Sequence, residues 1–485
     1  MILVRRLKIS GSAMAGLAAR WALALFIAGC GTVAAPSVTP VQAPVSSQTS
    51  VPGSAPTALP SPSQSAATLP RVNSDDWTSY HRDNLRSGYL PNLPDPQRLT
   101  IAWNTLLDGA VYAEPLVVDG HVLIATEGNS VYSLDARTGQ IEWQMRVGDP
   151  VPRSALPCGN INPLGITGTP VYDPASGLVF AVAEVTGPAH ILVGIDARTG
   201  QVKMRRSADP DGMEPRAHQQ RAALALSEGT VYIAYGGLFG DCGNYHGWVV
   251  AARIDGSGAL ISFQVPTDRE GGIWAPPGPV VDASGRLYVS VGNGSETVGN
   301  WDHSDSVLRL SAGLKLDDGF APEQWRKDNA ADADLGSLGP VLLPNGLLFS
   351  AGKSGTGYLL RSDALGGVGG QVLAKAVCRA FGGAAVAGST VFVPCNEGLQ
   401  QVQVESGATF AIGWQAKQAP GSPVIGGHTV YTLDRSGTLY ALDANTGQAR
   451  ARVTIGAVSR FATPTLFQDR IFIGTMTGIA AVTGS

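Results

Sequence analysis

The sequence predicts an all-β fold, an eight-bladed β-propeller whose last blade is closed by a strand from the N-terminal side. The first observation is the turn content, because 61 of the 485 residues are Gly and 32 are Pro. The second is the charged fraction of 15%, which disfavours coiled coils and long surface helices. The hydrophobic fraction of 44% is ample for a large core and excludes wholesale disorder. The third observation, an internal repeat, decides the architecture.

Residues 1–29 are predicted to be a lipoprotein signal peptide. Residues 1–20 carry four basic side chains and no acid, and the apolar run WALALFIA follows at 21–28. This run is far shorter than the roughly 20 residues that span a bilayer, so it is typical of a secretory signal. It ends in Ile-Ala-Gly-Cys30, which resembles the lipobox of bacterial lipoproteins and implies that Cys30 is lipidated. Simple cleavage with a free cysteine is the alternative.

Residues 30–73 are predicted to be the lipidated Cys30 followed by a disordered tether. Residues 31–70 contain eight prolines and no charged side chain, and such a composition cannot bury enough apolar surface to fold. Signal and tether together predict an extracytoplasmic protein whose lipid anchor is its contact with a bacterial membrane. Without the first 29 residues, 30 basic residues face 38 acidic ones and no basic block remains. Nucleic acid is therefore excluded as a partner.

Residues 74–485 carry the repeat. An alternating strand, the turn Asp-Ala-x-Thr-Gly-Gln and a second strand recur in three close copies, at 130–143, 191–204 and 438–451. The Asp of the turn can accept bonds from backbone amides, and Gly supplies its positive φ. Two more strands precede each copy, so one unit is four antiparallel strands, as in a propeller blade.

Counting the units gives eight blades. They are expected at about 111–148, 166–207, 220–266, 273–327, 337–376, 380–417, 420–455 and 460–484. The last unit has only three strands, whereas LTIAWNTLLDG at 99–109 resembles a fourth strand without its blade. We therefore expect residues 99–107 to close the last blade, which leaves no open sheet edge.

The Asp-Ala-x-Thr-Gly turn with a following Trp resembles the pyrroloquinoline quinone (PQQ) repeat, and DDWTSYHRDNLRSGY at 75–89 resembles the lead-in of that superfamily. The resemblance covers the whole globular part and implies the propeller. It does not imply one function, because the superfamily holds both quinoprotein dehydrogenases and binding scaffolds. The bacterial outer-membrane assembly lipoproteins share the plan of lipobox, tether and closed ring.

Four cysteines lie beyond Cys30, and an even number in an exported domain suggests disulfides. We expect the pairs Cys378–Cys395 and Cys158–Cys242. Metal binding is the alternative, but no Cys-x-x-Cys or paired His spacing supports it. The histidines are scattered, and we expect them to be solvated or bonded to backbone in loops.

Residues 271–358 resemble the corresponding stretch of PQQ-dependent alcohol dehydrogenases. That resemblance implies that Trp274 underlies the quinone and that Asn293 ligates calcium. It makes Asp334, with Asp332 as a fallback, the base and a further calcium ligand. It places Lys353 on the quinone oxygen. The alternative is that the four are a packing residue, a turn residue, a strand-capping acid and a rim charge.

One departure bears on function. The family's calcium-binding Glu follows Gly-Ala in blade three, and Gly236-Gly237-Leu238 places Leu there, with Asp241 as the nearest substitute. The lost ligand favours a lipid-anchored, non-catalytic scaffold that binds a protein partner on a propeller face. The alternative is a PQQ- and calcium-dependent oxidoreductase acting on alcohols or sugars, which suits the four matched residues.

Overall fold

The computed structural model describes residues 73–485, and they form eight sheets arranged as a β-propeller. Each sheet is built on four antiparallel strands, to which the sheets of blades 3, 4 and 7 add one more strand each, and the innermost strands of successive blades lie beside one another around a central channel. Helix is nearly absent from this part of the chain, with one short α-helix at Trp325–Ala330. The predicted fold class is confirmed.

The blades follow the chain, and their strands are given from the channel outwards. Blade 1 comprises Leu116–Val118, His121–Ala125, Ser130–Asp135 and Ile141–Arg146. Blade 2 comprises Val171–Asp173, Leu178–Val185, Ala189–Asp196 and Val202–Ser207. Blade 3 comprises Ala225–Ser227, Thr230–Gly237, Trp248–Arg253 and Ile261–Gln264, with His218–Gln219 also paired to its second strand. Blade 4 comprises Val280–Val281, Leu287–Val291, Ser306–Leu310 and Leu316–Ala321, with Gly367–Val368 added outside.

The remaining strands complete the ring. Blade 5 comprises Val341–Leu342, Leu347–Ala351, Thr356–Arg361 and Leu373–Ala376. Blade 6 comprises Ala385–Ala387, Thr390–Cys395, Gly398–Glu405 and Thr409–Ala416. Blade 7 comprises Val424–Gly426, Thr429–Leu433, Thr438–Asp443 and Ala449–Thr454, with Tyr89–Leu90 parallel to its innermost strand. Blade 8 comprises Thr465–Phe467, Arg470–Thr475, Gly478–Gly484 and Leu99–Leu106. Single 3₁₀ turns lie at Arg153–Ala155, Pro215–Ala217 and Leu335–Ser337.

Blade 8 closes the ring as predicted. Leu99–Leu106 is antiparallel to Gly478–Gly484, with Leu99 opposite Gly484 and Leu106 opposite Gly478. The outer strand of blade 8 thus precedes blade 1 in the sequence.

The repeated turn joins neighbouring blades through a tryptophan. In blade 1 the Asp135 carboxylate accepts the Thr138 amide at 2.7 Å, and Gly139 has a φ of 73°. A Cβ on Gly139 would lie 2.5 Å from the indole of Trp103 in blade 8, and that indole N–H donates to the carbonyl of Ala136. The same contact joins blades 1 and 2 and blades 6 and 7, through Trp143 on Gly200 and Trp414 on Gly447. Gly in this turn therefore provides both the conformation and the space.

The core lies between the facing surfaces of adjacent blades. Leu123 and Val131 of blade 1 pack with Val179 and Val193 of blade 2, and all four are at most 1% exposed. Because both faces of each sheet are covered, the middle strands are buried along nearly their whole length.

Residues 76–90, which we call the plug, occupy one end of the channel. Their backbone or side chains bond to the innermost strands of six blades. The strand residues contacted are Val117, Tyr172, Leu226, Val281, Val386 and Ile425. The plug therefore ties together blades that are distant in sequence.

Buried polar contacts hold the plug in place. The Glu114 carboxyl accepts the indole N–H of Trp77 at 2.9 Å and the backbone N–H of His81 at 2.8 Å. Arg86 donates to the carbonyls of Tyr80, Leu224 and Pro279. The histidines were expected to be solvated or bonded to backbone, and solvation is wrong for His81, which is fully buried and stacks on Tyr80 at 4.3 Å. This burial lowers the pKa of His81 to about 3, so the ring is neutral.

Both predicted disulfides are present. The Cα atoms of Cys158 and Cys242 are 6.0 Å apart, and those of Cys378 and Cys395 are 5.8 Å apart. All four cysteines lie at the end of the channel opposite the plug, in loops that enter a blade or at the connections between second and third strands. Cys30 lies outside the described residues. Across positions 73–485 there is no helix with the length and apolar character needed to cross a membrane.

Candidate functional site

A cavity of about 450 Å³ lies at the open end of the channel, and we call it the mouth cavity. It is lined by the loops that lead into the innermost strands and by the connections between second and third strands. The structure brings together here all four residues that the quinoprotein resemblance assigned, together with the fallback residue. They are Trp274, Asn293, Asp334, Lys353 and Asp332.

Lys353 bridges two carboxylates at the cavity wall. Its Nζ lies 2.5 Å from Asp334 Oδ2 and 2.5 Å from Asp332 Oδ1. Asp334 is 1% exposed, whereas the side chain of Asp332 is mostly in solvent. Burial acts to lower the pKa of Lys353, but the two carboxylates outweigh it and raise that pKa above its ordinary value. The ammonium group therefore stays protonated beside the buried acid.

Two glycines allow the backbone to approach Asp334. The Asn293 amide donates to Asp334 Oδ1 at 2.9 Å, and the Lys353 amide donates to the Asp334 carbonyl at 2.9 Å. A Cβ on Gly292 would lie 2.5 Å from Asp334 Oδ1, and one on Gly352 would lie 2.3 Å from the Asp334 carbonyl oxygen. Each of these polar residues thus follows a glycine that the close contact requires.

Trp274 contributes a flat aromatic wall to the cavity. Lys353 Nζ lies 5.7 Å from the centre of its indole, within the range of a cation–π contact. Phe461 meets the indole edge-on, with ring centres 6.3 Å apart. Gly236 provides the space, because a Cβ there would lie 2.9 Å from the Trp274 Cβ.

The calcium ligands implied by the resemblance are not assembled. Leu238 is 2% exposed and packs in an apolar cluster with Ile161 and Leu164, and the Asp241 carboxylate accepts the Tyr245 hydroxyl at 2.7 Å. The Lys353 ammonium forms an ion pair with the second oxygen of the Asp334 carboxylate. Over residues 73–485 no three His, Cys, Asp or Glu side chains are gathered around a point where a metal ion could bind. A carbon side chain and an ammonium group do not fit a calcium ion, which requires oxygen ligands; ligation by Asn293 and Asp334 stays a prediction.

Glu270 is an acidic neighbour that the sequence reasoning missed. It forms an ion pair with Arg269, and Asn293 Nδ2 lies 3.4 Å from its Oε2. Burial raises the pKa of Glu270, although Arg269 opposes that rise. It lies directly before the Gly-Gly pair that leads to Trp274, which is the signal that would have found it.

Three polar residues of the mouth cavity also went unnoticed in the sequence. They are Gln219, which ends the short strand His218–Gln219, and Arg221 and Arg460, which lie in the loops entering blades 3 and 8. They belong to no motif, and only the closure of the ring brings blade 8 near blade 3.

The family described as outer membrane protein assembly factor BamB matches residues 100–237 and 316–484. The chain belongs to that family. The segment between the two matches, 238–315, includes Trp274 and Asn293. The expected resemblance to PQQ-repeat propellers is thereby confirmed.

The curated relatives are named as dehydrogenases. A polyvinylalcohol dehydrogenase of Sphingopyxis sp. (strain 113P3) is 24% identical over 308 residues, which is 56% of this chain and 44% of that protein. A quinohemoprotein alcohol dehydrogenase of Pseudomonas putida is 27% identical over 270 residues, which is 53% of this chain and 35% of that one. The matches span less than half the length of these relatives.

Solved structures share the fold. Quinohemoprotein alcohol dehydrogenase from Comamonas testosteroni superposes with a TM-score of 0.67 at 16% identity, covering 87% of this chain and 83% of that chain. BamB from Moraxella catarrhalis gives 0.53 at 15% identity, covering 80% and 100%. At these identities the likeness shows the propeller fold alone.

Proposed function

We propose that the mouth cavity is the active site of a quinone-dependent oxidoreductase acting on alcohols or sugars. The observation that carries the proposal is the joint placement of Lys353, the buried Asp334 and the Trp274 indole on one cavity wall. The dehydrogenase names of the curated relatives support the same reaction class. A redox reaction with a bound planar cofactor requires an aromatic surface, a fixed cation and a proton acceptor, and these three residues are of those types.

The residues present fit a PQQ-type cofactor. The indole of Trp274 offers a flat face for a tricyclic ring, and the Lys353 ammonium is a donor for a quinone oxygen. When bound, PQQ supplies the acceptor for the hydride of the alcohol. The Asn293 amide and Lys353 fix the Asp334 carboxylate at the cavity wall, where it accepts the hydroxyl proton. No step depends on calcium, because Leu238 stands where its charged ligand is expected.

The test is the absorbance spectrum of the purified full chain titrated with PQQ, followed by addition of a primary alcohol. We expect saturable binding, a spectral change on alcohol addition, and loss of that change in Asp334→Asn. Lys353→Met should weaken PQQ binding by about tenfold, because it removes the charged donor.

Lys375→Met is the matched control, since Lys375 also sits over an aromatic ring, at 5.8 Å from Phe410, but on the outer strand of blade 5. Circular dichroism establishes that each variant is folded. Absence of PQQ binding by the wild-type chain would refute the proposal.

A second function is favoured by the match to the BamB family: a lipid-anchored scaffold that binds a protein partner on a propeller face. The loss of the charged residue at Leu238 also supports it. If the chain is a scaffold, in-cell crosslinking should capture a specific protein, and Asp334→Asn should leave that complex intact.

We also propose that the protein is extracytoplasmic and anchored to a bacterial membrane through Cys30. The support is the sequence Ile-Ala-Gly-Cys and the uncharged tether after it. Labelling of growing cells with radioactive palmitate should mark the wild-type chain but not Cys30→Ser. Equal labelling of both chains would exclude Cys30 as the lipidated residue.

A further inference from the structure

Asp305 is a buried acid next to the wall of the mouth cavity. It lies directly before the third strand of blade 4 and is 1% exposed. Its amide donates to the Gly292 carbonyl at 2.8 Å, and its Oδ1 accepts the Leu335 amide at 2.5 Å. This one residue therefore bonds the direct neighbours of both Asn293 and Asp334.

These two bonds form a closed circuit with a third one. The Asn293 amide donates to Asp334 Oδ1 at 2.9 Å. Single peptide bonds join Asn293 to Gly292 and Asp334 to Leu335. Three hydrogen bonds thus connect three separate segments of the chain, so that the position of each segment depends on the other two. Asp334 Oδ2 is left to face Lys353.

The backbone on both sides of the circuit is closely packed. A Cβ on Gly336 would lie 2.3 Å from the backbone nitrogen of Gly292. The Ser337 hydroxyl donates to the Ala380 carbonyl at 2.8 Å, which ties the turn after Asp334 to the loop that enters blade 6. Little space is therefore left for the segments to take another arrangement while the circuit is intact.

The loop that leads to Asp305 is held in an uncommon conformation. Asp305 has a φ of 47°, which Asp tolerates better than most residues. The buried side chain of Asn329 fixes this loop, because its Oδ1 accepts the Gly294 amide at 3.0 Å and its Nδ2 donates to Ser304 Oγ at 2.8 Å. Backbone held in such a conformation by its surroundings is found most often at functional sites.

We propose that Asp305 is a positioning residue, which holds Asp334 in the orientation from which its carboxylate accepts the hydroxyl proton of the substrate. The inference rests on the proposed redox function. A general base acts only within hydrogen-bond reach of the proton, and a displacement of about 1 Å can lower the rate about a hundredfold. Asp305 is not among the residues that line the mouth cavity, so it acts through Leu335 and Gly292.

Two substitutions test the acceptor that Asp305 provides. Asp305→Ala removes the acceptor of the Leu335 amide, whereas Asp305→Asn keeps an acceptor oxygen in a side chain of the same shape. In PQQ reduction by a primary alcohol, Asp305→Ala should lower kcat by about tenfold or more, because Asp334 loses its orientation in the chemical step. The KM of the alcohol and the Kd of PQQ should change by less than about twofold. Asp305→Asn should retain kcat within about threefold of the wild type.

Asp318→Ala is the matched control. Asp318 lies on the outer strand of the same blade, and its Oδ2 accepts the Leu365 amide at 2.7 Å. This variant therefore loses the same kind of bond, but outside the mouth cavity. Its kcat should equal that of the wild type, and thermal unfolding of both alanine variants compares their losses of stability.

Hydrogen–deuterium exchange of the full chain without PQQ gives a readout that is independent of activity. Mass spectrometry of the peptides that contain Asn293 and Leu335 follows their amides. Asp305→Ala should accelerate exchange of both amides by about tenfold relative to Asp318→Ala, because opening of the circuit frees them. Asp305→Asn should exchange like the wild type.

The positioning role and the redox function can fail separately. An unchanged kcat or unchanged exchange at Leu335 in Asp305→Ala would overturn the positioning role, as would equal losses of kcat in Asp305→Ala and Asp305→Asn. If the wild type does not reduce PQQ, the redox function alone is refuted, and the exchange rates still decide whether Asp305 fixes Asp334.

Discussion

The two ends of the channel differ in how their cationic side chains are held. At the plugged end, the buried Arg86 guanidinium donates to the backbone carbonyls of Tyr80, Leu224 and Pro279. At the open end, Arg221 and Arg460 line the cavity and rest on aromatic rings, without an ion pair among the described residues. A cation that backbone carbonyls hold serves folding, whereas a cation that faces a cavity is available to a ligand. The ends also differ in covalent cross-linking, because both disulfides lie at the open end.

The largest effect that we expect is a loss of folding stability in acid, which originates at the plugged end. Burial lowers the pKa of His81 to about 3, so below its unfolded value of about 6.5 the unfolded chain binds a proton that the folded chain does not. The stability contribution is complete above pH 6.5 and is lost as the pH falls toward 3, by up to about 5 kcal/mol. Urea unfolding as a function of pH measures it. His81→Asn, which tolerates the positive φ of this position, should flatten the slope.

If His81→Asn and the wild type lose stability equally between pH 6.5 and pH 3, then the plug is not the acid-sensitive end. His121→Asn is the control for replacing a histidine outside the plug, since His121 lies exposed on blade 1, where it contacts Glu142 at 2.7 Å.

The two disulfides at the open end should contribute to the folding stability of the protein. The Cys158–Cys242 bond closes a loop of 84 residues, and its removal by paired Ser substitutions should cost about 4.5 kcal/mol in the chain-entropy description. The Cys378–Cys395 bond closes 17 residues and should cost about 3 kcal/mol. Guanidinium unfolding of the two double variants checks the order. A larger loss for the shorter loop would contradict this account.

Substitution of Arg86 tests how much the hydrogen-bond donors at the plugged end contribute to folding stability. Arg86→Gln should cost roughly 3 kcal/mol, because three backbone carbonyls lose a charged donor in a buried site. The free energy of unfolding in urea measures the loss. A cost below about 0.5 kcal/mol would mean that the carbonyls find other donors.

The smallest effect is expected at the open end. Arg221→Gln removes one of two like charges that form no ion pair within residues 73–485, so it should leave stability unchanged or raise it by at most about 1 kcal/mol. Thermal unfolding without added ligand measures this. A loss as large as that of Arg86→Gln would remove the distinction between the two ends.

The sequence predicted the ring more fully than the site. Residues 99–107 were assigned to the last blade because their pattern duplicates a fourth strand, and the structure pairs Leu99–Leu106 with Gly478–Gly484. The path of the plug could not be predicted, because its bonds reach Tyr172, Val281 and Ile425 in separate blades. Such contacts have no period in the sequence.

The residues of the site also fall into a group that the sequence predicted and a group that it did not. Trp274, Asn293, Asp334 and Lys353 were found through resemblance to a family, and the structure gathers them in one cavity. Arg221 and Arg460 had no such guide, since 239 residues separate them and each is an ordinary loop arginine in the sequence. Their shared environment exists only because the eight blades close, which is a property of the whole ring.

Closure of blade 8 has a consequence for how the protein is made. The strand Leu99–Leu106 and the parallel pairing of Tyr89–Leu90 with blade 7 both need partners that follow blades 1 to 6 in the chain. A chain truncated before Gly478 would leave the strand Leu99–Leu106 without its partner and expose an unpaired edge. The ring can therefore close only after residues 478–484 have been translated, so the edge of residues 99–106 stays open while the blades in between are synthesised.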